Sequence, residues 1–282
     1  MAQPTIEAVT AETLPEFAAF LHANLEPARS PHVWTEGLGK SWGMSPPNHG
    51  YVLRDEGRIV GGIGAYYAER TIKSELQRVC NITSWCVLDT YRKQSMRLAM
   101  ALIGQQGYHF TDFSPTKVVG GVLQFLKFRP LDERQTIIIN LPWPAIGSKL
   151  LTEPKDIENA LEGSALRIYR DHIMFPWLHH ALIGAPNKWC HVIYKRTRFK
   201  WLPSAHVLYL SDPAIFKEHY CRLARLFITH GLASTQVECR FLTHRPWPST
   251  IRSGFNAKVY LSPTLSDDDI DYLYSETMAL DL

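Results

Sequence analysis

The run VCNITSWCVL, Val79 to Leu88, constrains this chain most. It is mostly apolar and β-rich, without the alternation of a strand that wets one face, so it predicts a central strand covered on both sides. The following stretch, DTYRKQSMRLAMALI, is a polar basic turn and then an apolar helix. A strand that enters a helix N-terminus is where backbone N–H groups hold phosphates. Yet TYRKQSMR contains no glycine, where phosphate loops usually need one.

Around this core the chain alternates. Ile6–Val9 reads as a short strand. A helix capped by Thr10 or Thr13 follows, with Leu14, Phe17, Phe20, Leu21 and Leu25 on one face. RSPHVWTEGLGKSWGMSPPNHG, rich in Gly, Pro and Trp, reads as a loop or broken helix. YVLRDEGRIVGGIGAYYAERTI is a hairpin turning at Asp55-Glu56-Gly57. Beyond the central strand and its helix come a strand over Tyr108–Phe113, a short helix ending near Lys127-Phe128, and a strand over Thr136–Leu141. The order is β-α-loop-β-β-β-α-β-α-β, an α/β (α+β mixed-sheet) pattern. A proline-rich stretch over 142–155 reads as a linker, dividing domains at 1–141 and 156–282. The second half runs helix-β-β-α-β, similar in order to the middle of the first. Its long helix has Asp212 as N-cap, Pro213 at the first position and Gly231 near its end.

At 282 residues, 45% hydrophobic and 20% charged, the chain is globular. Its net charge of +3 suits an anionic ligand and falls short of a nucleic-acid footprint. No apolar run reaches the roughly 18 residues of a membrane span, and the N-terminus lacks the basic and apolar regions of a signal peptide. Five cysteines without a CxxC pair argue for reduced thiols in a cytoplasmic protein. Twelve histidines include His172, His179, His180 and His191, but no HExxH or CxxC anchors a metal site. Gly61, Gly62 and Gly64 match no phosphate-loop or dinucleotide spacing and read as a strand approached closely by a neighbour.

Val87–Arg97 resembles the pattern V-x-P-x-Y-R-x-x-G-x-G/A of the GNAT (GCN5-related) acyl-CoA N-acyltransferases. Tyr91-Arg92 fits, and Ser95 and Arg97 stand at the two glycine positions. SPTKVVGGVLQFLKFRPLD has the rhythm of the family's second pattern, with Phe128 as its terminal Phe and Lys127 at its Gly. The hairpin DEGRIVGGIGAYY is also similar, and the resemblance covers about residues 5–141.

The resemblance implies a GNAT-like fold, in tandem if the second half is a degenerate copy. It implies acetyl-CoA or another acyl-CoA as substrate and transfer of the acyl group to a small-molecule amine. Strand 81–88, with Cys86, Val87 and Leu88, is expected to hold the pantetheine. The turn Arg92, Lys93, Gln94, Ser95, Met96 and Arg97 is expected to hold the pyrophosphate. The family's carbonyl polariser, a backbone N–H near a bulge, falls around Trp85–Val87. Asp112 is the expected general base, with His109, Glu75 and His49 behind it. The family's thiolate-protonating Tyr is Leu123 here, so Ser114, another hydroxyl or water would take that step, or no acyl transfer occurs. Trp34 and Trp42, in the acceptor-covering loop, either seal the core of that loop or suit stacking on an aminosugar or another cell-envelope precursor. Cys86 reads as a buried thiol in preference to a nucleophile. In the second half, Asp212 stands where a pyrophosphate would dock. Two alternatives stay open: a catalytically inactive CoA-binding or partner-binding relative, and a phosphate or nucleic-acid binder using YKRTRFKW, Tyr194–Trp201.

Overall fold

The computed structural model describes residues 3–281. Residues 1, 2 and 282, at the ends of the expected domains, lie outside the described residues. The chain forms two compact units. Of the described residues, one comprises 3–131, 257–265 and 274–281; the other comprises 132–256 and 266–273.

The first unit contains β1 (Thr5–Ala8), α1 (Leu14–Asn24), α2 (Pro31–Leu38), β2 (Gly50–Asp55), β3 (Arg58–Ile72), β4 (Glu75–Val87), α3 (Ser95–Ile103), β5 (Tyr108–Asp112), α4 (Lys117–Phe125) and β6 (Arg129–Pro130). The stretch read as a loop or broken helix contains α2. Ser30 caps it by accepting from the Val33 N–H, and Pro31 takes the first position, where its missing donor costs nothing.

The second unit contains β7 (Gln135–Ile139), β8 (Lys149–Leu151), α5 (Pro154–Ala160), α6 (Gly163–His172), β9 (His179–Ala185), β10 (Lys188–Phe199), β11 (Leu202–Leu210), α7 (Pro213–Thr229), β12 (Ser234–Glu238) and β13 (Ser249–Arg252). The chain then supplies β14 (Val259–Leu261) and α8 (Glu276–Ala279) to the first unit. The strand expected at 136–141 is therefore β7, and it pairs with β12 and β13 in the second sheet. Within 142–155, β8 pairs with β9.

The first sheet has the order β1-β2-β3-β4-β5-β14-β6. Only β4 and β5 pair in parallel, joined by the α3 crossover; the other pairs are antiparallel. Period-2 alternation along β3 divides its two faces. Ile63, Ala65 and Tyr67 pack in one cluster with Leu98, Ala99 and Leu102 of α3 and Leu123 of α4. Gly62 meets Phe17 of α1, Gly64 meets Leu38 of α2, and Tyr66 packs 5.7 Å from Trp42.

Gly62 is where that approach is tightest. An added Cβ would lie 2.3 Å from Phe17 Cε2. Gly62→Ala is expected to cost about 1–3 kcal/mol by overpacking. Gly121→Ala, in α4 with open space around it, should instead gain roughly 0.5–1 kcal/mol. Urea midpoints of the two variants check this; an unshifted midpoint for Gly62→Ala would remove the close-approach account.

The second sheet has the order β13-β7-β12-β11-β10-β9-β8, with β11 and β12 as its parallel pair and α7 as their crossover. The succession β9-β10-β11-α7-β12 thus has the strand directions of β2-β3-β4-α3-β5. Phe216, Tyr220, Leu223 and Phe227 of α7 cover one face. Ile157, Leu161 and Tyr169, from α5 and α6, meet Leu182 on the other.

Candidate active site at a strand fork

The parallel ladder between β4 and β5 runs only from Arg78↔Tyr108 to Asn81↔Thr111. β5 ends one residue later, whereas β4 continues to Val87. Beyond Asn81, the β4 edge that faced β5 has left its ladder, and the two strands form a fork. On its other edge β4 bulges against β3. Gly64 pairs with Thr83 and Gly62 with Cys86, so Ser84 and Trp85 together oppose Ile63. Ser84 takes φ +52° there. A bulge re-aims backbone groups, and this one lies at the start of the segment where the resemblance put the carbonyl polariser.

At the fork stands Glu276, the first residue of α8. Its N–H donates to Asn81 Oδ1 at 2.8 Å, the last ladder residue of β4. Its Oε1 accepts from the Phe113 N–H at 3.2 Å and from Ser114 Oγ at 2.9 Å, just past β5. The Ser114 N–H in turn donates to Asp112 Oδ1 at 3.1 Å. Glu276 is fully buried and Asp112 nearly so. Burial pushes the Glu276 carboxyl up to about 7, while the Ser114 hydrogen bond pulls it down. Burial, and then the Glu276 charge, push Asp112 well above the carboxylate range. Two buried carboxyls that feel each other's charge in this way disfavour ionising together. Glu276 Oε2 and Tyr66 Oη are buried without a hydrogen-bond partner. Burial, and next the Glu276 charge, raise the Tyr66 phenol, which stays protonated and able to donate.

The expected residues Asp112 and Ser114 are therefore brought together. The alternatives to Asp112 stand elsewhere: His109 is hydrogen-bonded to Ser262 and Gln77, Glu75 to Gln77, and His49 to the Leu38 carbonyl. Leu123 is core. Trp34 and Trp42 are each 2% exposed and offer no stacking face, which removes the hint of a sugar acceptor. Cys86 Sγ lies 3.6 Å from the Asn24 carbonyl, and burial raises its thiol, so it is no thiolate nucleophile.

The basic turn is wound as a 3₁₀ helix over Asp89–Gln94 that runs into α3. The Tyr91 N–H donates to the Leu88 carbonyl and the Ser95 N–H to the Arg92 carbonyl, so these donors are already taken. Arg97 turns away to the Pro4 carbonyl at 2.9 Å and to Gln94 Oε1 at 3.1 Å, its bulk absorbed against the N-terminal segment. Arg92 pairs with Asp89 in the open, Lys93 is exposed, and Met96 is largely solvent-facing. Cys86 and Val87 close the β3 ladder, and the Leu88 N–H donates to the Val60 carbonyl. The cations that face solvent here are thus Arg92 and Lys93.

No protein-family model matches the chain, and no curated protein sequence does. Solved structures do match. A GCN5-related N-acetyltransferase from Anabaena variabilis aligns at TM-score 0.61 and 11% identity, over 92% of this chain and 72% of that one. The chain has the fold of the GCN5-related N-acetyltransferases. A GCN5-related N-acetyltransferase from Kribbella flavida aligns at 0.58 and 8% identity, over 91% and 70%. Eis1 from Mycobacterium abscessus aligns at 0.51 and 11%, over 91% and 72%.

Within this GCN5-related fold, sequence reasoning missed Glu276. Its one signal is a lone acid inside the apolar run YLYSETMAL. In the second unit, Asp212 Oδ1 accepts the Ala214 and Ile215 N–H groups at 2.8 and 2.9 Å, so a carboxylate occupies the N-terminus of α7. The stretch Tyr194–Trp201 is the β10–β11 hairpin. Tyr194 and Lys195 are buried, and Arg196, Arg198 and Lys200 are exposed. Among the described residues, no three His, Cys, Asp or Glu side chains are placed to hold a metal, and no helix is long and apolar enough to cross a membrane.

Proposed function

We propose that the chain transfers an acyl group from acyl-CoA to an amine at the β4–β5 fork. The carrying observation is the Asp112–Ser114–Glu276 cluster seated where β4 leaves its parallel partner. In this reading the β4 edge over 82–87 pairs with the pantetheine amides. A backbone N–H of that edge polarises the thioester carbonyl. Arg92 and Lys93 face the pyrophosphate. The amine nitrogen attacks the carbonyl carbon, and Glu276 carboxylate takes the proton it sheds. The C–S bond breaks, and the proton that Glu276 has taken passes through the Ser114 hydroxyl, which hydrogen-bonds Oε1, to the leaving thiolate, restoring the carboxylate. We read the second unit as a degenerate copy, supported by its strand order and by the Asp212 cap.

A second reading, the same fold without turnover, is favoured by the satisfied N–H groups of Tyr91 and Ser95 and by Leu123 in place of the family Tyr. Calorimetric titration of acetyl-CoA, beside the Arg92→Ala/Lys93→Ala variant, separates the two. Micromolar binding weakened about tenfold in the variant, with thiol release on an amine panel, supports transfer. Binding without thiol release on any amine supports the second reading, and no binding rejects both.

A further inference from the structure

The second unit carries a solvent-open cleft of about 590 Å³, lined largely by the segment that joins β12 to β13. That volume is in the range of small-molecule sites, roughly 300–1,000 Å³. Lys217 reaches it from α7, and His244, Arg245 and Trp247 from the loop; Thr136 of β7 and Ser249 of β13 add hydroxyls. No Asp or Glu is among its lining residues. Of the acids beside it in sequence, Glu238 is fully buried and bound by Arg240 and Tyr272, and Glu218, outside the lining, is open to solvent. Two permanent cations therefore face one space with no carboxylate to neutralise them, a field that favours a doubly charged anion.

Trp247 supplies the second requirement. It is 77% exposed, and its ring lies 6.0 Å from that of Trp143. An indole left this open, with a second indole beside it, presents an apolar face on which a flat ring can stack.

We propose that this cavity binds a phosphate monoester carried on a flat ring, with Lys217 and Arg245 on the phosphate and Trp247 on the ring. Adenosine 5′-monophosphate is the probe, adenosine and inorganic phosphate are the controls, and the full chain is titrated by tryptophan fluorescence. The monophosphate should bind at least about tenfold more tightly than either control, and salt should weaken it. Lys217→Ala/Arg245→Ala should weaken it about tenfold while leaving adenosine unchanged. Trp247→Ala should bring the monophosphate down toward inorganic phosphate. Both cations are exposed, so an unchanged melting temperature shows that the double variant is folded. The proposal is overturned if adenosine binds as tightly as the monophosphate, or if nothing binds by about 10 mM. Monophosphate binding that survives the double variant would assign it to another site and overturn it equally.

Discussion

Glu276→Gln should lower kcat for acyl-CoA-dependent thiol release by about 10²- to 10⁴-fold, the range spanned by loss of a positioned general base, with acetyl-CoA affinity nearly unchanged. The amide keeps an oxygen for the Phe113 N–H and the Ser114 hydroxyl but cannot take the amine proton. The same change should stabilise the folded chain at alkaline pH. The folded carboxyl titrates near 7 against an ordinary 4.5, so the folded state holds its proton more tightly than the unfolded one. The stability this gives is complete below pH 4.5 and is lost as pH rises through about 7. Glutamine has no proton to lose and should gain up to about 3 kcal/mol above that pH. A variant that is more stable at pH 8 and catalytically silent fits a base. One that is more stable and fully active would leave Glu276 a structural acid and sink the mechanism.

In the second unit acid should act in the opposite direction. His180 Nδ1 and His191 Nε2 lie 3.1 Å apart, both rings are buried, and Tyr169 packs edge-on against each. His172, His179 and Tyr209 complete the surroundings. Burial, and then the charge of His172, push His180 down to about 3; burial and His180 push His191 well below its ordinary value. The unfolded chain therefore binds these protons more tightly. Stability is complete above pH 6.5 and falls as pH drops toward 3, by up to about 5 kcal/mol for His180 alone. Urea unfolding followed between pH 7 and pH 4 should show the loss, and His180→Phe should flatten it. A flat profile in the parent chain would contradict the buried-neutral pair.

The fork was largely legible because its signals are local. The apolar run before Leu88 could only be a covered strand, and Asp112 and Ser114 follow a strand end directly. Glu276 was not legible. It meets Asn81 and Ser114 across more than 160 positions of chain, and no short window encodes such a contact. The strand at 136–139 was readable from its β-branched residues, but its choice of sheet is tertiary. Trp34 and Trp42 read either as ligand platforms or as seals of the loop's core, because composition says nothing of burial; they are the latter. Ser30 and Pro31 did announce α2, but the surrounding Gly and Pro residues masked them. At Arg97 a long side chain where glycine was expected is accommodated by turning its guanidinium onto the Pro4 carbonyl.

The first unit takes β14 and α8 from beyond the second. On the ribosome this imposes an order. At about 5–20 residues per second, the first 131 residues emerge and then wait roughly 7–30 seconds for Val259–Leu261 to pair with β5 and for Glu276 to reach the fork. During that interval the β5 edge and the polar groups of Asn81 and Ser114 lack their final partners. The second unit, contiguous from 132 to 256, waits only for the short segment 266–273 that brings Tyr272 to Glu238. Nascent chains stalled short of residue 257 should therefore be held by chaperones at the first unit, and chains whose residues 257–279 have cleared the ribosome should not.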